Sequence, residues 1–211
     1  MKKTSKVPAA VIRRLPHYLR ILEELHGKGI ERISSGELSE RIGYTASQIR
    51  QDFNHFGGFG QQGYGYNVES LREEIRSILG LTREYDIAVV GCGRLGHAIA
   101  YFTNYFESTF VIKGIFDISP EIIGEEILGV VVQDVKELPT YLKENKIDIG
   151  VITVPKESAQ EIADVLTEGG ASGIWNFAPM DLELPEGFPV YNVHLYDGLQ
   201  SLVYYINHKD E

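Results

Sequence analysis

VVGCGRLGHAIA, residues 89 to 100, decides how the larger part of this chain folds. An apolar run leads into Gly-x-Gly-x-x-Gly, and a stretch that reads as helix follows at once. Three glycines alone are a weak signal. Here Asp86–Val90 reads as a strand before them and a helix begins at about Arg94, which is the context the motif requires. Gly91 permits the tight turn, Gly93 lets backbone approach a pyrophosphate, and Gly96 allows close helix–strand packing. The helix N-terminus, with its free N–H groups, then faces the phosphates.

Downstream, FVIKGIFD (110–117) reads as a second strand ending in Asp117. An acidic side chain there accepts hydrogen bonds from the adenosine ribose and repels a 2′-phosphate, favouring NAD(H) over NADP(H). The alternation continues with GVVV (129–132), a helix near Leu138–Asn145, DIGVITV (148–154), a helix from Glu157 to Glu168 and GIWNF (173–177). Repeated βαβ units predict a parallel, doubly wound Rossmann sheet. Thr153-Val154-Pro155 and Asn176-Phe177-Ala178-Pro179 fall at the carboxyl ends of strands, where such sheets bind ligands. Their uncharged character suits a neutral dihydronicotinamide better than the cationic oxidised ring, so NADH is preferred over NAD+. Cys92 reads either as a thiol sensor or simply as a small residue in the loop.

A dehydrogenase would add a proton donor and a charge to anchor its substrate. Of the six histidines, His17, His26 and His55 lie upstream, His97 is on the cofactor helix, and His208 is close to the C-terminus. Only His194 stands where a base could sit, and a lone histidine there reads as structural. Little chain remains after the fifth strand to build a substrate domain. What remains is FPVYNV and a closing helix, LYDGLQSLVYYINH, whose apolar surface suggests docking onto a second subunit.

Upstream, Val11, Leu15, Tyr18, Leu19, Leu22 and Leu25 recur at helical spacing, with Pro16 expected to kink or split the helix. In ISSGELSERIG, Ser34 and Glu37 form a capping box and Gly43 can end the helix. YTASQIRQDFNHFG offers a second box, Thr45 with Gln48. Ile49, Phe53 and Phe56 line one face of that helix; Ser47, Gln48, Arg50, Gln51 and Asn54 lie on the exposed side. Helix, turn, helix is a DNA-binding anatomy. Arg can grip guanine O6 and N7, and Gln or Asn can pair with adenine N6 and N7 in the major groove. An ordinary helical bundle with a polar outer face remains open as the alternative. GGFGQQGYGY (57–66) follows directly, and its alternating aromatics around a glycine-rich tip predict a hairpin, the wing of a winged helix. NVESLREEIRSILGL then reads as an amphipathic helix connecting two domains and ending around Gly80.

Charge divides the chain in the same place. Its formal net charge is −10, yet residues 1–66 carry ten Lys/Arg against six Asp/Glu and the remainder ten against twenty-four. Halves of opposite sign suggest different partners, one of them polyanionic. A single cysteine excludes an intrachain disulfide framework and a four-cysteine metal site. No apolar run is long enough to cross a bilayer, and the basic N-terminus lacks the apolar core of a secretory signal. A cytoplasmic protein with no metal and no membrane partner is expected.

Taken together, RRLPHYLRILEEL, ISSGELSERIGYTASQIRQDF, FGGFGQQGYGY, ILGL, VVGCGRLGHAIA, FDISPEIIG, ITVP and NFAP resemble the redox-sensing transcriptional repressor Rex family, in order and over about the full length. The resemblance implies a homodimer with a winged-helix domain (1–80), a Rossmann NAD(H)-binding domain (81–193) and a C-terminal helix (194–211) exchanged between subunits. It implies binding to a palindromic operator, permitted by NAD+ and released by NADH. The cofactor set is then Gly91, Cys92, Gly93, Arg94, Leu95, Gly96, Asp117, Ile118, Thr153, Val154, Pro155, Asn176, Phe177 and Ala178. The DNA set is Ser47, Gln48, Arg50, Gln51, Asn54, Gln61 and Tyr64, and Arg20, Phe102 and His194 form the switch set. No residue is assigned to catalysis. The chain departs from the family pattern twice: Gln61-Gln62 stand where wings usually carry a base, and His194 where an acid is common. The rival reading is a small NAD-dependent oxidoreductase, or a CoA-binding subunit on the same fold, with a helical docking domain.

Overall fold

Heptad-like spacing of apolar residues in the first helix, α1 (Ala9–Gly27), buries Val11, Leu15, Tyr18, Leu19, Leu22 and Leu25 along one side. The helix is not split at Pro16. Pro16 lies on the exposed side, where the carbonyl that loses its partner can meet water. These contacts come from a computed structural model that describes residues 7–56, 64–105 and 109–208. The chain divides into two units, Met1–Arg83 and Glu84–Glu211.

In the first unit a short strand, β1 (Arg32–Ile33), leads to α2 (Ser35–Ile42) and α3 (Ala46–Asn54). The Ser34–Glu37 capping box forms in both directions, at 3.1 and 2.7 Å. Gly43 ends α2 in the left-handed conformation, φ 80°, as a C-cap glycine does. Only half of the second expected box exists. Thr45 Oγ1 accepts from the Gln48 N–H at 3.1 Å, but the Gln48 side chain turns away to Asp52. Then β2 (Tyr66–Asn67) pairs antiparallel with β1, Ile33 opposite Tyr66. The second arm of the expected wing therefore pairs with a strand that the sequence reading did not anticipate. The stretch 57–63, with Gln61, lies outside the described residues. Gly65 cannot carry a side chain: its φ is 70° and a Cβ would come within 2.8 Å of the Ile33 carbonyl oxygen.

The helix read as leading from one domain to the next, α4 (Val68–Ile78), lies within the first unit, as the expected 1–80 boundary has it. Its Val68, Leu71 and Ile75 are buried in one cluster with Leu15, Tyr18, Leu22, Leu38, Ile49 and Phe53. Arg76 also reaches Glu23 of α1 at 3.2 Å. A helix with so strong an apolar face buries it against its own domain.

The second unit runs β3 (Tyr85–Val90), α5 (Arg94–Tyr105), β4 (Phe110–Asp117), β5 (Glu126–Ile127), β6 (Val130–Asp134), α6 (Leu138–Glu144), β7 (Ile149–Ile152), α7 (Lys156–Glu168), β8 (Gly173–Asn176) and β9 (Val190–Asn192). The sheet order is β5-β6-β4-β3-β7-β8-β9, parallel except for β5. Leaving out β5, this is the 3-2-1-4-5-6 order of a dinucleotide-binding fold, with its crevice between β3 and β7. The edge hairpin β5–β6 turns through Leu128 and Gly129, at φ 54° and 80°. Central strands β3 and β7 are buried on both faces, by Ala88, Val90 and Ile152 on one side and Ile87, Val89 and Val151 on the other. The last element, α8 (Leu195–Asn207), has no buried residue, and Leu199, Leu202, Val203 and Ile206 are each more than half exposed.

Candidate functional site

The glycine loop sits at the crevice between β3 and β7. Gly91 leaves β3 at φ 93°, and a methyl there would meet Val154 Cγ1 at 2.8 Å and the Thr153 carbonyl carbon at 2.9 Å. A methyl on Gly96 would overlap the Gly91 carbonyl oxygen. Gly93 differs: nothing lies within 4 Å of where its Cβ would stand. Two glycines thus hold the loop against its neighbours, and the third leaves open space before the first turn of α5. Thr153 ties the crevice together, its Oγ1 donating toward the carbonyls of Gly91 at 2.5 Å and Val90 at 3.1 Å.

Asp117 closes the loop from the β4 side. Its Oδ2 accepts from the Cys92 N–H at 2.5 Å and its Oδ1 from the Ser119 N–H at 2.8 Å. A carboxylate offers about four lone-pair positions. Two therefore remain for ribose hydroxyls, and the open backbone at Gly93 with the α5 N-terminus suits a pyrophosphate. The residues present fit a dinucleotide. Beside Asp117, Ile118 is 77% exposed, an apolar side chain against which a base can pack. Arg94 is exposed and Leu95 half-buried at the helix start, with half-buried Val154 and exposed Pro155 across the crevice.

Cys92 is buried and points inward. Burial, reinforced by the carboxylates of Asp117 and Glu125, pushes its thiol up to about 11. The thiolate, which is the reactive form, is thereby suppressed. His97, read from sequence only as part of the helix, lies 3.6 Å from the Cys92 sulfur and 3.3 Å from its carbonyl oxygen. Asn176, Phe177 and Ala178 are buried rather than lining an open surface. Asn176 spends its amide inside the chain, on the Met180 carbonyl, the Asn192 side chain and the Ala178 N–H, all within 2.9 Å. It shapes the loop after β8.

On the first unit, Ser47, Arg50, Gln51 and Asn54 are exposed along α3, and Arg50 Nη1 donates to Ser35 Oγ of α2 at 2.9 Å. Tyr64 is 70% exposed, and its carbonyl accepts from Arg32 at 3.3 Å. Gln48 is half-buried. The residue that sequence reasoning missed is Asp52, fully buried on α3. Arg14 grips both its oxygens at 2.6 and 2.7 Å, Tyr18 OH donates at 2.6 Å and Gln48 Nε2 at 2.9 Å. Burial alone would raise its carboxyl, but these donors and the Arg14 charge outweigh that and hold it below the ordinary carboxylate range. The only sequence signal was the spacing: Gln48 and Asp52 are four apart, hence neighbours on a helix.

Of the switch set, Arg20 is exposed on α1 and Phe102 is 54% exposed on α5. His194 precedes α8, its Nε2 lying 3.1 Å from Asp181 Oδ1. Among the described residues no group of three or more His, Cys, Asp or Glu is placed to hold a metal ion, and no helix is long and apolar enough to cross a membrane.

Two protein families match consecutive parts of the chain: "Putative DNA-binding protein N-terminus" over residues 6–54 and "CoA binding domain" over residues 82–180. A redox-sensing transcriptional repressor Rex of Clostridium perfringens is 53% identical over 210 residues, covering 100% of this chain and 99% of its own. The crystal structure of RSP, a Rex-family repressor, in complex with β-NAD+ and operator DNA matches with a TM-score of 0.90 at 51% identity, over 98% of this chain and 95% of that one. RSP in complex with β-NADH matches at 0.89 and 48%, over 98% and 97%. With identity above one half along the whole chain, this protein belongs to the Rex family of redox-sensing transcriptional repressors.

Proposed function

We propose that this chain represses transcription by binding a palindromic operator as a homodimer in the cytoplasm, and that NADH releases it while NAD+ permits binding. The observation that carries the reading is the union, in one chain, of a helix-turn-helix face and a glycine loop answered by Asp117. The first can read DNA, and the second can hold a dinucleotide. Asp117 also discriminates between the ligands that such a fold accepts. A carboxylate beside the adenosine ribose favours free hydroxyls and repels a phosphate there, so NAD(H) fits better than CoA, which carries a 3′-phosphate. His97 of the cofactor helix contacts Cys92, and His194, which precedes α8, contacts Asp181.

A two-fold dimer supports a two-fold operator, each recognition helix α3 meeting one half-site. Dimerisation is supported by α8, whose apolar side chains are exposed and suit exchange with a second copy. NADH acts by linkage: it shifts DNA occupancy only by its differential affinity for the DNA-competent and DNA-incompetent dimers. Emptying an operator that is mostly filled takes a coupling of roughly 3–5 kcal/mol. Ser47, Gln48, Arg50, Gln51 and Asn54 contact DNA, Tyr64 and Gln61 belong to the wing, and Arg20, Phe102 and His194 transmit the change.

The test is a titration of NADH and NAD+ against a labelled palindromic duplex selected from random DNA by this protein. NADH should displace the protein at concentrations where NAD+ does not. Failure to bind any duplex, or indifference of the complex to NADH, overturns the reading.

A further inference from the structure

Gln48 holds the third position of α3, among the first residues of a helix that reaches into a groove from its N-terminal end. A capping box would turn its side chain back onto the Thr45 N–H. Instead its Nε2 donates to Asp52 Oδ1 at 2.9 Å. Asp52 is itself immovable. It is fully buried, and Arg14 and Tyr18 fix both its oxygens. A carboxylate only accepts, so this contact decides which end of the Gln48 amide points in: nitrogen toward Asp52, oxygen away.

A free glutamine rotates its amide at little cost and serves donors and acceptors alike. A pinned one offers its Oε1 as acceptor and one remaining N–H. The acceptor matches the amino groups of the major groove, adenine N6 and cytosine N4. Arg50, two residues further along the helix and braced by Ser35, offers only donors. The two side chains are thus complementary in what they can read.

Resting on the repressor reading above, we propose that Asp52 is a positioning residue for sequence recognition: through Gln48 it makes the helix require a base with an amino donor at one position of the half-site. The Arg14–Asp52–Gln48 chain then links α1 to base choice without itself touching DNA.

The experiment measures binding of the full chain, with NAD+ present, to duplexes varied one position at a time across the selected half-site. The wild type should prefer an amino-bearing base at one position by roughly tenfold. Gln48→Met should abolish that preference and keep the others, and Asp52→Asn should do the same. The Asp52→Asn/Gln48→Met double variant should lose nothing further. Tyr18→Phe removes a bond to the other oxygen; it should lower Tm and leave the preference intact. Should Asp52→Asn fail to fold by circular dichroism, Arg14→Lys takes its place, since lysine cannot bridge both oxygens. A merely structural network would weaken all duplexes alike. Retention of the preference in Asp52→Asn or Arg14→Lys, its persistence in Gln48→Met, or its loss in Tyr18→Phe overturns the inference while leaving the repressor reading standing. A wild type that binds no duplex sinks that reading as well.

Discussion

A single methyl group separates the roles of the loop glycines. On Gly96 it would collide with the Gly91 carbonyl, a backbone atom that cannot step aside. Gly96→Ala should cost roughly 1–3 kcal/mol, read as a lowered Tm, together with loss of NADH binding. On Gly93 the same methyl meets nothing in the protein. Gly93→Ala should keep its Tm and still bind NADH about tenfold more weakly, by calorimetry, because the methyl fills the space that a pyrophosphate needs. Cys92 makes a third case. With its thiol pushed up to about 11, only about one molecule in ten thousand is thiolate at pH 7. Iodoacetamide labelling followed by mass spectrometry should be slow at pH 7 and accelerate toward pH 11. The same shift makes the buried thiol a source of stability that is whole below the unfolded value near 8.5 and lost as pH climbs through the folded one. A fast reaction at neutral pH would restore the thiol-sensor reading.

At the level of helices and strands, α3 is held by an ion pair on a fully buried carboxylate rather than by apolar contacts alone. Removing one partner leaves the other charge unpaired, so Asp52→Ala should cost about 3 kcal/mol in a denaturant melt. Because the Asp52 carboxyl sits below its ordinary range, its stabilisation is present above the unfolded value near pH 3.9 and disappears as pH falls through the folded one. Acid unfolding of the first unit should therefore begin below about pH 4, and Asp52→Asn should remove that acid branch. The Ser34–Glu37 capping box, the helix spacings and the strand–glycine–helix unit were all legible in the sequence, because each depends on residues within a turn of one another. The pairing of β1 with β2 was not, since each strand is two residues long and lies more than thirty residues from the other. The role of Gln48 was misread for a related reason. Spacing gave a capping box, but a buried carboxylate competed for the same amide and won.

For the whole molecule, α8 stands out among the described elements as a 13-residue apolar helix with no buried residue. Leu199→Glu with Val203→Glu places charge on one stripe of it. The variant should sediment as a monomer and bind the operator about a hundredfold or more weakly, since two half-sites no longer act as one. A dimer that persists would place the interface elsewhere.

By itself the sequence determined what local periodicity can encode: the helix-turn-helix, the order of βαβ units, the glycine loop with Asp117, and the opposite charges of the two halves. Only the tertiary structure decided which polar groups meet. It put α4 into the core of the first unit, buried Asn176 at the end of β8, and joined Arg14 to Asp52 across 38 residues. Periodicity records which face of an element is apolar. The partner that a buried polar atom finds depends on distances between elements, and a linear sequence does not carry those.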